Sequence, residues 1–76
     1  MVNSNLLRGK IMSMGYTQDA IAQKMKISAN TLSAKINGKS EFDLGQVEML
    51  CDMLHIDSAD EIRDIFLSKA SLKRDS

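Results

Sequence analysis

Seventy-six residues allow one domain with a thin stability margin, because so short a chain buries a low fraction of its surface. Apolar residues are spread without a run long enough to span a bilayer, and no basic segment followed by an apolar stretch opens the chain, so a soluble cytoplasmic protein with no membrane partner is expected. A formal net charge of zero argues on its face against nucleic acid, while one cysteine and one histidine exclude a disulfide, a metal site and an acid-base set, leaving no enzyme, cofactor or small-molecule substrate.

The apolar spacing predicts five helices and no strands. Asn3 and Ser4 can cap a first helix over about 4 to 14, where Leu7, Ile11 and Met14 recur at i, i+4 and i+7 and Gly15 supplies a stop. Thr17 caps a short second helix near 18 to 25, with Ile21, Ala22 and Met25 as its buried stripe. After a tight connection at Lys26 and Ile27, Ser28 caps a third helix that Asn37-Gly38 ends. Asp43 caps a fourth, marked by Leu44, Val47, Leu50, Cys51 and Leu54, and Asp57 or Ser58 caps a fifth over about 58 to 68. A domain over 1–68 and a frayed polar tail over 69–76 follow from the loss of period after Leu67. Cys51 reads as a small buried hydrophobe, since no base or second thiol accompanies it.

Residues 18 to 37 carry a particular spacing: small Ala22 within one helix, apolar Ile27 in the turn, and Leu32 inside the next. Two helices crossing steeply need a residue without bulk at the contact and an anchor between them. With "YTQDAIAQKMKIS" leading into "TLSAKINGKS", the chain resembles the Cro/repressor-type (XRE) helix-turn-helix family of phage and bacterial transcription regulators over roughly residues 4 to 67. The resemblance implies an all-α five-helix bundle of the lambda-repressor-like DNA-binding type, with a recognition helix at about 29–37 in the major groove of double-stranded DNA. It also implies glycine where this chain has Lys26 and His55, so both are expected at positive φ, with His55 a cap or surface residue rather than a ligand. Near the end of the third helix Lys35 and Ile36 exchange the family's apolar and polar positions. Ile36 is therefore expected on the first helix near Ile11, which frees Lys35 for phosphate.

On that reading the face opposite Leu32 and Ile36 comprises Asn30, Ser33, Ala34 and Asn37 and meets bases, with Ala29 at the rim and Gln18 at the start of the second helix. Asn37, Gly38 and Lys39 match a loop whose backbone N–H groups and side chains hold phosphates, supported by Lys10, Thr17, Lys24, Lys35 and Ser40. Charge is segregated in the same sense: residues 1–40 hold six bases against Asp19 alone, a balance of +5, and residues 41–76 hold nine acids against four bases, a balance of −5. Solvated helix faces would account for Asn30, Ser33 and the segregation equally simply, and the two alanines are good helix formers in any setting.

One such motif reads few base pairs, so a homodimer on a palindromic operator is expected, its candidate surface the acidic half, where Met49, Met53, Ile56, Ile65 and Phe66 exceed one stripe per helix; some of the five are core, and sequence does not sort them. The competing reading is a protein-interaction module, antirepressor- or antitoxin-like, that grips a protein through that half. Operator sequence and the choice between repression and activation are not written in the chain.

Overall fold

Five short polar side chains set the helix starts. In the computed structural model, which describes residues 2–67, Asn3, Thr17, Ser28, Asp43 and Ser58 each hold extended backbone and accept the N–H three residues on, at 2.8 to 3.1 Å. They open α1 (Ser4–Ser13), α2 (Gln18–Met25), α3 (Ala29–Ile36), α4 (Leu44–Met53) and α5 (Ala59–Phe66), and no strand occurs among the described residues. Gln46 returns its side-chain oxygen to the Asp43 N–H, completing a capping box. Helices of eight to ten residues are marginal alone, so caps and burial must hold them. The expected tail over 69–76 and the domain boundary at 68 lie outside the described residues.

Four helices end in one way. A left-handed residue follows α1, α2, α3 and α4: Gly15, Lys26, Gly38 and His55, with φ of 82°, 61°, 82° and 56°. The N–H of the next residue reaches back five positions in each case, Tyr16 to Ile11, Ile27 to Ala22, Lys39 to Ala34 and Ile56 to Cys51. This is the Schellman arrangement, whose last residue usually makes an apolar contact. Tyr16, Ile27 and Ile56 do so, packing on or within the core. Lys39, in the corresponding place after α3, is exposed instead.

The core gathers Leu7 and Ile11 of α1, Ile21, Ala22 and Met25 of α2, Leu32 and Ile36 of α3, Leu50 and Leu54, and Ile65 and Phe66 of α5. No polar or charged residue is buried among the described residues. Ile36 is 1% exposed and shares this core with Ile11, while the Ser4 hydroxyl donates to the Ile36 carbonyl at 2.5 Å. Asn3 is thus the cap of α1 and Ser4 a tie from α1 to the end of α3. On the other flank of α1 the Asn3 N–H donates to Ile65 at 2.6 Å, and Phe42 meets the Phe66 ring edge-on at 6.0 Å. Cys51 is half-buried against the core, where burial first, then Glu61 and Glu48, push its thiol up.

The expected dimer surface needs correction. Ile56, Ile65 and Phe66 are core residues, and Met53 is half-buried; of the five only Met49 is exposed. Five short helices around one centre need more apolar side chains than one stripe each, so the surplus on the acidic half went inward.

A β-carbon on Gly38 would meet nothing within 4 Å, so the cost of adding one is conformational alone. Gly38→Ala is expected to lower stability by about 1 kcal/mol, and Lys26→Gly, which relieves left-handed backbone, to raise it by about 0.5–1 kcal/mol. Thermal melts check both, with shifts of roughly 4–8 °C per kcal/mol in a domain of this size.

Candidate nucleic-acid interface

The turn between α2 and α3 brings the two helices together as a unit. Ala22 is buried at their contact, Ile27 packs on the core from the turn, and Leu32 is fully buried inside α3. With Leu32 and Ile36 inward, the 100° step of the helix puts Asn30, Thr31 and Ala34 on the opposite side. Asn30 and Thr31 are exposed, Ala34 is half-buried, and Ala29 is exposed at the first turn. Among the described residues the Asn30 amide has no hydrogen-bond partner, so both of its polar ends are open to a ligand. Thr31 was not anticipated. It lies a quarter-turn from Asn30, and its hydroxyl oxygen accepts from Ser28 at 2.8 Å.

Ser33 and Asn37 are engaged with each other. The Asn37 amide nitrogen donates to the Ser33 hydroxyl oxygen at 3.3 Å, and its carbonyl accepts from the Arg8 guanidinium. Ser33 is also half-buried, so the structure places it on the flank of the reading face rather than at its centre. Gln18 is half-buried in the first turn of α2, beside Thr17, whose oxygen is occupied in capping the Ala20 N–H at 3.1 Å. Asp19 in that turn opposes an anion that the free helix N-terminus would otherwise favour.

Three expectations about phosphate contacts change. The N–H groups of Gly38, Lys39 and Ser40 donate to carbonyls of α3, to Lys35 at 3.2 Å and to Ala34 at 2.8 and 3.4 Å, because the Schellman ending consumes them. Grip by this loop falls to side chains, of which those of Lys39 and Ser40 are exposed. Lys35 is not left free: its ammonium donates to the Glu41 carbonyl at 2.7 Å and braces the loop before α4. Lys10 lies on the other flank of α1, in an ion pair with Glu61 of α5 at 3.0 Å. Lys24 and Lys26 are exposed at the end of α2. Arg8, which was not singled out from the sequence, is the α1 cation that reaches α3.

Among the described residues no group of three or more His, Cys, Asp or Glu could hold a metal ion, and no helix is long and apolar enough to cross a membrane. What α2, the turn and α3 define is a helix-turn-helix DNA-binding protein. Over residues 7–66 the chain matches the family model of the Cro/C1-type HTH DNA-binding domain, and it belongs to that family, whose members bind DNA in transcription regulation. Neither the curated proteins nor the solved structures returned a match.

Lys39 allows function to be separated from folding. Lys39→Ile puts an apolar residue where three sister motifs have one, and is expected to leave the melting temperature unchanged or slightly higher. DNA affinity should fall and the slope of log affinity against log salt should become shallower by about 0.9 per bound subunit, the value of one phosphate contact.

Proposed function

We propose that the chain is a sequence-specific double-stranded DNA-binding regulator of the phage or prophage type, repressor or Cro-like, with α3 in the major groove. The observation that supports this most is the outward face of α3, with an unpartnered Asn30 beside Ala34 on a helix whose rotation the core fixes. Asn30 can pair bidentately with adenine through N6 and N7, Ala34 and Ala29 can meet a thymine methyl, and Thr31 can bond several base edges. Ser33 and Gln18 serve at the edge of that face. Lys39 and Ser40 hold backbone phosphate at the C-terminal end of α3, the Thr17 O–H, free to donate while its oxygen caps α2, meets it at the other against the opposing charge of Asp19, and Lys24 and Lys26 add basic charge. The acidic half, with Asp52, Asp57 and Asp60 exposed, is turned from the duplex by repulsion.

We further propose a homodimer on a palindromic operator, since a single α3 reads too few base pairs for useful specificity. Its surface is an open groove of about 490 Å³ lined chiefly by apolar side chains, among them Val2, Phe42, Leu44, Val47 and Leu67. Leu44 is 74% exposed and Leu67 60%, which is costly in a solvated monomer. The same groove supports the second reading, an antirepressor- or antitoxin-like module that keeps the helix-turn-helix and binds another protein there.

Selection from random duplexes, followed by titration at two salt concentrations, tests the DNA reading. A palindromic motif is expected, with a salt slope of about −4 to −5 per bound subunit for some five phosphate contacts each; no motif and a slope near zero would leave the protein-binding module standing. Asn30→Ala should abolish preference at one base pair, by about 1–3 kcal/mol, and keep nonspecific binding. Leu44→Asp, in the first turn of α4 where an acid suits the helix, should weaken self-association about tenfold or more in sedimentation equilibrium. Wild-type protein that stays monomeric both free and on its selected site would sink the dimer.

A further inference from the structure

Arg8 is the cation of α1 that is exposed and meets no carboxylate among the described residues. Lys10 is paired with Glu61, and half-buried Lys35 keeps its charge but donates to the Glu41 carbonyl beside α4, whereas exposed Arg8 donates to the Asn37 side chain at the end of α3. Ser4 and Arg8 are one turn apart on α1, and both reach the end of α3, Ser4 through the Ile36 carbonyl and Arg8 through Asn37. Lys10, two residues on, lies about 200° around the helix, on the α5 flank. An arginine can only donate, so Asn37 must turn its carbonyl to the guanidinium. The amide nitrogen then faces the other way, where it donates to Ser33 at 3.3 Å. Asn37 is thereby held from both sides, and its amide is not available for a bidentate bond to a base. Among the described residues no carboxylate pairs with Arg8, so its charge is undiminished and most of its five N–H donors are unused. Asn37 is two residues before Lys39, which puts this charge at the end of α3 where phosphate grip has lost its backbone donors.

We propose that Arg8 is a DNA-contacting residue that grips a backbone phosphate beside the one held by Lys39, and that Asn37 is a positioning residue that holds the guanidinium there rather than a reader of bases. α1 then takes part in the interface, tied to the recognition helix by the Arg8–Asn37–Ser33 chain. This contact rests on the DNA-binding reading above.

The test titrates affinity against salt for wild type, Arg8→Gln, Arg8→Lys and Lys10→Gln on the duplex that wild type selects, with a thermal melt of each. Gln keeps an N–H for Asn37 without the charge. Arg8→Gln should show a slope shallower by about 0.9 per bound subunit, about 1.8 for the dimer on its palindrome, Arg8→Lys should restore it, and Lys10→Gln should keep the wild-type slope. A merely structural role for Arg8 would move the melt and leave the slope alone. An Arg8→Gln slope equal to wild type, or an equal loss in Lys10→Gln, overturns the contact. Asn37→Ala keeps the Arg8 charge but frees the guanidinium, and should weaken binding about three- to tenfold with the slope kept and sequence preference unchanged; loss of preference at one base pair would instead make Asn37 a reader and overturn its positioning role. Wild type without salt-dependent affinity removes the DNA reading itself, a result distinct from a normal wild-type slope that Arg8→Gln fails to alter.

Discussion

The rotation of α3 about its own axis depends on two side chains, Leu32 and Ile36, which are 0% and 1% exposed. On a helix of only eight residues nothing else could set that angle, since propensity and caps stabilise a helix without orienting it. A helix turned by one residue would rotate its outward face by 100° and replace Asn30 and Ala34 with their neighbours. The core beneath therefore acts as a bearing for the site. The tie from Ser4 to the Ile36 carbonyl and the Schellman ending at Gly38 fix the same helix at its far end, so the recognition element is held at its middle and at its exit.

Much of this was legible in the chain because the signals are local. A cap needs only one polar residue three positions from the N–H it bonds, and all five caps stood where Asn, Thr, Ser or Asp precede an apolar period. Positive φ at Lys26 and His55 was legible only through the family resemblance, which puts glycine at both places, since neither side chain marks a left-handed residue by itself. The errors share a different cause. Periodicity shows that Leu7 and Ile11 point inward, but it does not say which neighbouring helix lies on each flank of α1. Arg8 and Lys10 are two positions apart and look alike in sequence, yet one faces α3 and the other α5. Lys35 met the Glu41 carbonyl for a similar reason: the path of the loop over 38–43 is a tertiary fact. Ile56, Ile65 and Phe66 could not be sorted from Met49 in sequence because an amphipathic surplus reads the same whether it fills a core or covers a partner.

Electrostatics needs the same distinction between charge and its disposition. A net charge of zero conceals a basic half and an acidic half, but part of the basic half is neutralised internally. The Lys10–Glu61 pair has side chains 25% and 36% exposed, and pairs so wetted contribute little to stability. Its larger consequence is subtraction, since it removes one cation from the field that α3 presents. Arg8, Lys24, Lys26 and Lys39 remain, all exposed and all within or beside the three helices that build the motif. Their field orients the molecule on approach, which raises encounter rates without selecting a sequence.

Selection of sequence must then come from a narrow face. Asn30 is the side chain there with no partner in the fold, Thr31 keeps its O–H donor while its oxygen accepts from Ser28, Ala29 and Ala34 offer methyl contact, and Ser33 is engaged with Asn37. At about 1–3 kcal/mol per well-read base pair, so few contacts give one chain a specificity ratio far below the 10³–10⁷ of dedicated regulators. Doubling the face across a two-fold axis adds the free energies and multiplies the ratios, which a deeper reading helix on the same scaffold could not achieve without displacing the small residues that admit it to the groove. In the proposed dimer the exposed Leu44 and Leu67 are covered, and a chain that reads little by itself gains discrimination from the second copy placed on the adjoining half-site.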